Sequence, residues 1–187
     1  PNVLIMEDDH FALMANTEHY SVIPPNTVHW SIFRSVSKGL GPDLRMAFVA
    51  ADKESIKRIT TRLAPGMSWV SRVLQSFVHT CLTKKEFQQD LELANQNCVE
   101  RRESLLNALT EQGVTVNTAV DGLNVWLPVG KDCKSAVDEF SRKGWLVRSS
   151  DSFDIDQSSQ AIRVSIPNLA PETVKQFALD AASVINN

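Results

Sequence analysis

The chain has 187 residues, 43% of them hydrophobic and 22% charged, with a formal net charge of −3. That is the make-up of one globular domain or two small ones. The charge supplies no basic field for nucleic acid, and no apolar run approaches the roughly 20 residues that span a bilayer. Three scattered cysteines, Cys81, Cys98 and Cys133, form no disulfide framework and fit a reducing cytoplasm. The histidines follow no ligand spacing such as HExxH, so no metal site is expected.

The chain opens on "PNVLIMEDDHF", without an initiator methionine. Val3 to Met6 reads as a buried strand, and a buried strand with nothing before it predicts a piece of something longer. Pro24-Pro25 marks a loop. "VHWSIFRSVS" is rich in strand formers and runs into Lys38, and "LRMAFVAA" (44 to 51) reads as another strand. "SIKRITTRL" reads as a helix that stops near Pro65-Gly66. Over 68 to 82, Trp69, Val70, Val73, Leu74, Phe77, Val78 and Cys81 recur at helical period with a broad buried face.

Thr83 to Glu86 fits a capping box. From there a stripe of Phe87, Leu91, Ala94, Cys98, Leu105 and Leu109 predicts a helix of about 28 residues, ending before Gly113. Arg101 and Arg102 interrupt the stripe and can lay their stems along it. "VTVNTA" and "LNVWLPV" read as strands joined by an Asp121-Gly122 hairpin. Asp132 caps a helix that ends at Gly144. "WLVR" and "AIRVSI" are further strands, and Pro171 opens a last helix with Val174, Phe177, Ala178, Ala181 and Ile185 on one face. Residues 83–187 therefore read as a long linking helix plus a small α/β domain, and 1–82 as part of a larger one.

Four features carry chemistry: Asp8, Ser35-x-x-Lys38, Arg45 and Arg163. Each alone has an ordinary explanation. An Asp after a strand is usually a turn residue, and an Arg in a strand is usually half of a surface pair. Ser-x-x-Lys is also the nucleophile spacing of penicillin-binding proteins. That chemistry needs Ser-Asp-Asn and Lys-Thr-Gly partners, which are missing here. It also needs Ser35 to open a helix, against which Gly39, Gly41 and Pro42 argue.

Taken in order, "EDDHF", "SKGLGPDLRMAFVA" and "IRVSI" resemble the fold-type-I pyridoxal-phosphate proteins, the aspartate-aminotransferase-like fold. Gly-Pro-Asp-Leu-Arg (41 to 45) and "GLNVWLPV" are most similar to the aminotransferase-like domains of MocR-type transcription regulators of the GntR superfamily. The resemblance covers nearly the whole chain and implies an α/β fold. Residues 1–82 would be the C-terminal portion of the cofactor-binding large domain, with an incomplete sheet and an apolar face left open or covered by a partner. Residues 83–187 would be the linking helix and small domain.

The same resemblance implies the roles. Lys38 forms a Schiff base with pyridoxal 5'-phosphate through its amine. Asp8 pairs with the pyridine nitrogen and keeps the ring an electron sink. Ser35 and Arg45 hold the phosphate, with Ser37 assisting. Arg163 takes the α-carboxylate of an amino acid, near Lys38. His10 stands where many relatives carry a tyrosine that reaches the cofactor's phenolic oxygen; a plain turn histidine is the alternative.

The implied function is effector sensing in a cytoplasmic, homodimeric regulator. It would bind DNA through a winged helix that this chain lacks, and respond to an amino acid or a B6 vitamer. An aminotransferase acting on an amino acid shares every one of these residues and stays open. The family's glycine-rich phosphate loop and ring-stacking aromatic precede Pro1, so this chain holds half a site and is expected to hold the cofactor weakly alone.

Overall fold

A computed structural model describes residues 3–118, 121–156 and 158–186. The chain divides into two compact units, Pro1–Asn95 and Gln96–Asn187. This division falls inside the long helix, whereas the sequence reading set its boundary at the start of that helix, 82/83.

In the first unit, β1 (Leu4–Asp8), β2 (His29–Ser35) and β3 (Ala47–Ala51) form a sheet in that order. β1 and β2 run parallel, with Asp8 opposite Phe33, and β3 returns antiparallel, with Ala47 opposite Ser35. A parallel pair needs a long crossover, and residues 9–28 supply it, including a 3-10 turn at Ala12–Met14. One helical turn, α1 (Ser37–Leu40), follows β2. α2 (Lys53–Leu63) starts at Asp52, whose carboxylate accepts the backbone N–H groups of Glu54 and Ser55 at 3.0 and 3.1 Å. The same carboxylate accepts the Trp30 N–H at 2.9 Å, which ties the start of β2 to α2. α3 (Arg72–Thr83) and the first part of α4 (Lys85–Glu111) complete the unit.

In the second unit, β4 (Asn124–Pro128), β6 (Ala161–Ser165) and the short β5 (Arg148–Ser149) form an antiparallel sheet with β6 in the middle. α5 (Cys133–Arg142) and α6 (Val174–Asn186) pack on it. One core joins Leu105 and Leu109 of α4, Val125 and Leu127 of β4, Phe140 of α5, Ile162 and Val164 of β6, and Phe177 and Ala181 of α6. Phe140 stacks on Phe177 at 5.7 Å, and the edge of Trp145 meets Phe177 at 5.1 Å. As expected, Asp132 caps α5 by accepting the Ser135 N–H at 2.8 Å, and Gly113 and Gly144 end α4 and α5 with φ of 74° and 90°.

Several sequence expectations need correction. β1 forms, but it is not buried: Val3, Leu4 and Met6 are 60%, 43% and 64% exposed. Among the described residues β1 has a strand neighbour on one edge only, and Leu4 and Met6, which share a face, stay exposed. The stripe expected over 68–82 is helical only from Arg72, with Trp69 and Val70 before α3; only Val78 and Cys81 of it are buried, while Trp69, Val73 and Phe77 are exposed. The Thr83 capping box does not form, because the Thr83 hydroxyl donates back to His79 O at 2.7 Å. Residues 114–118 form no strand, so β4 pairs with β6 instead of closing an Asp121-Gly122 hairpin; Ala119 lies outside the described residues. A helical turn does form at Ser37–Leu40, where the glycines argued against one.

Candidate functional site

The topology of the first unit gathers six of the seven sequence-named residues at one edge. Because β1 and β2 are parallel, their carboxyl ends, Asp8 and Ser35, lie on the same side of the sheet. Sites in α/β sheets form there. β3 begins at that edge too, so the loop carrying Arg45 folds back on it: the Val36 N–H donates to Met46 O at 3.2 Å, and the Ser37 hydroxyl donates to Leu44 O at 2.8 Å.

The Lys38 amine lies 5.8 Å from the centre of the Phe11 ring, a cation–π approach. Phe11 directly follows His10, whose Nδ1 pairs with an Asp8 carboxylate oxygen. The Lys38–Phe11 contact and the Asp8–His10 pair thus lie at the same sheet edge, and the Lys38, Asp8 and His10 side chains are all exposed. Arg45 is exposed as well. Ser35 is buried and committed locally: its Oγ accepts the Ser37 N–H and donates to Ser37 Oγ, both at 3.2 Å. Ser35 thus shapes the turn that presents Lys38.

Gly39 explains how the turn comes so close. A Cβ on it would sit 2.6 Å from Leu13 Cβ. Only glycine lets α1 pass against the 3-10 turn that follows His10 and Phe11. Phe11 and Gly39, which sequence reasoning did not name for the site, are the ring that Lys38 meets and the residue of its turn that meets Leu13. Their signals were the aromatic directly after "EDDH" and the residue directly after the lysine.

Glu7, behind Asp8, points to the other face of β1 and is buried. One carboxylate oxygen accepts the Ser21 hydroxyl at 2.7 Å and the Val22 N–H at 3.0 Å, and the other lies 3.0 Å from His19 Nε2. The Ser21 hydrogen bond is the main cause holding this carboxyl below the usual range, against the effect of burial. Glu7, Asp9 and His19 bring their ligand atoms within 4.8 Å of one another. This grouping was not expected from the histidine spacing, and Arg34 Nε already engages Asp9 at 3.0 Å.

Arg163 belongs to the second unit. It lies on β6 between Trp126 and Arg148, with its guanidinium 4.4 Å from the Phe153 ring centre and its buried Nε without a hydrogen-bond partner. It lines a cleft of about 620 Å³.

No protein-family model matches the chain. It is 36% identical, over 186 residues and its full length, to the vitamin B6 salvage pathway transcriptional repressor PtsJ of Salmonella typhimurium, and spans 43% of that protein. Among solved structures, it matches the α-aminoadipate aminotransferase LysN of Thermus thermophilus at TM-score 0.81 and 20% identity, covering 98% of this chain and 50% of that one. It matches an aromatic aminotransferase of Pyrococcus horikoshii at TM-score 0.86 and 15% identity, covering 99% and 51%. The expected fold class is thereby supported. The chain has the α/β fold of the fold-type-I pyridoxal-phosphate transferases, and over its whole length its sequence is similar to that of a transcriptional repressor.

Proposed function

We propose that this chain is the effector-sensing, pyridoxal-phosphate-binding part of a MocR-type transcription regulator. The observation that carries the reading is the placing of the Lys38–Phe11 contact and the Asp8–His10 pair at the carboxyl ends of two neighbouring parallel strands. This donor set fits a phosphorylated pyridine aldehyde: an exposed amine, a carboxylate and imidazole beside it, and an exposed guanidinium on the adjoining loop. The 36% likeness to a B6 salvage repressor favours a regulator. The aminotransferase likenesses, at 15–20% identity, speak for fold alone.

When bound, the cofactor supplies an aldehyde for amine capture and a ring that withdraws electrons. This chain's residues do the rest. Lys38 offers the amine, and Phe11 and Gly39 fix its approach. Asp8 presents a negative charge for the pyridine nitrogen, and His10 orients that carboxylate. Arg45 gives the phosphate a planar, charged fork, with Ser37 beside it. Arg163 takes the effector's carboxylate. Binding would shift the populations of a homodimer and so its hold on DNA through a separate domain of the longer protein, in the cytoplasm. Among the described residues no helix is long and apolar enough to cross a membrane.

The test uses the longer protein. Cofactor should change its affinity for DNA from its own control region, and Lys38→Ala should abolish that response while DNA binding persists. Steady transamination of an amino acid, with no cofactor effect on DNA binding, would overturn the reading in favour of the enzyme.

A further inference from the structure

Arg148 and Arg163 stand directly opposite each other on β5 and β6. Their Cα atoms are therefore about 5 Å apart, with both side chains on one face of the sheet. Like charges so placed repel and weaken a sheet. Neither arginine has a carboxylate partner among the described residues. Both line the cleft of about 620 Å³, whose lining holds no Asp or Glu and includes the polar side chains of Ser165 and Asn168. That volume lies within the roughly 300–1,000 Å³ range of small-molecule sites. The Phe153 ring, 4.4 Å from the Arg163 guanidinium and braced edge-on by Trp126 at 6.1 Å, fixes one of the two arginines in place. The buried Arg163 Nε has no acceptor in the protein, and a buried donor of this kind calls for one.

We propose that Arg148 and Arg163 form a two-arginine anion site, so that the ligand of this cleft carries two negative charges, as a dicarboxylate or as a phosphate group. Arg163 alone suffices for a single carboxylate. The second guanidinium in register adds a second fork for another acidic group a few atoms away, or for a third phosphate oxygen. The effector would then be an acidic molecule and not a neutral amino acid. That consequence rests on the effector reading above, but the binding itself needs neither cofactor nor amine.

Calorimetry on the 187-residue chain at fixed ionic strength, with acetate, succinate and inorganic phosphate as probes, tests the proposal. Succinate or phosphate should bind at least about tenfold more tightly than acetate. Arg148→Gln should erase that margin by weakening succinate or phosphate far more than acetate, and Arg148→Lys should restore part of it. Arg148 is exposed on a two-residue edge strand, so these variants fold. Tighter binding of succinate identifies a dicarboxylate site, and tighter binding of phosphate a phosphate site. Equal binding of all three probes, no binding of any, or a margin that survives Arg148→Gln overturns the proposal. The same titration on Lys38→Ala should be unchanged, so failure of the cofactor reading and failure of this site appear in different experiments.

Discussion

Both units are three-stranded sheets flanked by helices, yet they bury their apolar residues differently. The second encloses a continuous core from Leu105 to Val184, with Phe140 and Phe177 at 0% and 1% exposure. In the first, the buried apolar residues among those described are Met14, Val36, Val78 and Cys81, while Leu4, Met6, Phe48, Phe77 and Trp69 lie open. Exposed apolar surface on this scale marks a surface meant to be covered. The unit that carries Lys38 is therefore the one that does not complete its own core, whereas the unit with Arg163 does. The chain's span of about half of each aminotransferase accords with this contrast.

The largest expected effect probes the contrast directly. Phe140→Ala or Phe177→Ala should cost about 3–5 kcal/mol, read as a shift in the denaturation midpoint. Phe77→Ala, at a half-exposed position of α3, should cost less than about 1 kcal/mol. Comparable losses at the two places would break the comparison.

Gly39→Ala comes next. Its Cβ meets Leu13 at 2.6 Å, and relieving that overlap should cost about 1–3 kcal/mol. In the longer protein it should also weaken cofactor capture by displacing Lys38 from Phe11. A variant that binds cofactor normally would show that the close pass is packing alone.

The smallest effect is one of pH. The hydrogen bond from Ser55, with backbone N–H groups from Trp30, Ser55 and Glu54, holds the Asp52 carboxyl well below its usual value. A depressed carboxyl contributes stability that is full above the unfolded value of about 3.9 and is lost as pH falls below it toward the folded value. Acid titration should therefore loosen the β2–α2 junction below about pH 4, and Asp52→Asn should flatten that part of the curve. An unchanged acid profile would contradict the assignment.

Local signals were legible where one residue type decides the geometry: the Asp132 cap, the positive-φ glycines Gly113 and Gly144, and the helical period of α4 and α6. Burial was not. Val3 to Met6 and the α3 stripe have the pattern of core residues, but pattern reports what an element seeks to bury, not whether the chain supplies the cover. The failed hairpin has a related cause, because β4 found a distant partner in β6 instead of the nearby 114–118. Motif order named Asp8, His10, Ser37, Lys38 and Arg45, and all five lie at the edge formed by the carboxyl ends of β1 and β2. Phe11 and Gly39 were not among them, because their contribution arises only when α1 packs on the turn after β1. Ser35 was named for the phosphate, but the structure gives its hydroxyl to the turn at Ser37.

The central claim is that Lys38 holds pyridoxal phosphate. Borohydride reduction of the longer protein at saturating cofactor, followed by peptide mass spectrometry, tests it most directly. A pyridoxyl-phosphate adduct should appear on the peptide containing Lys38, with only weak labelling of the isolated 187-residue chain. No adduct in the longer protein, or one confined to other lysines, would contradict it.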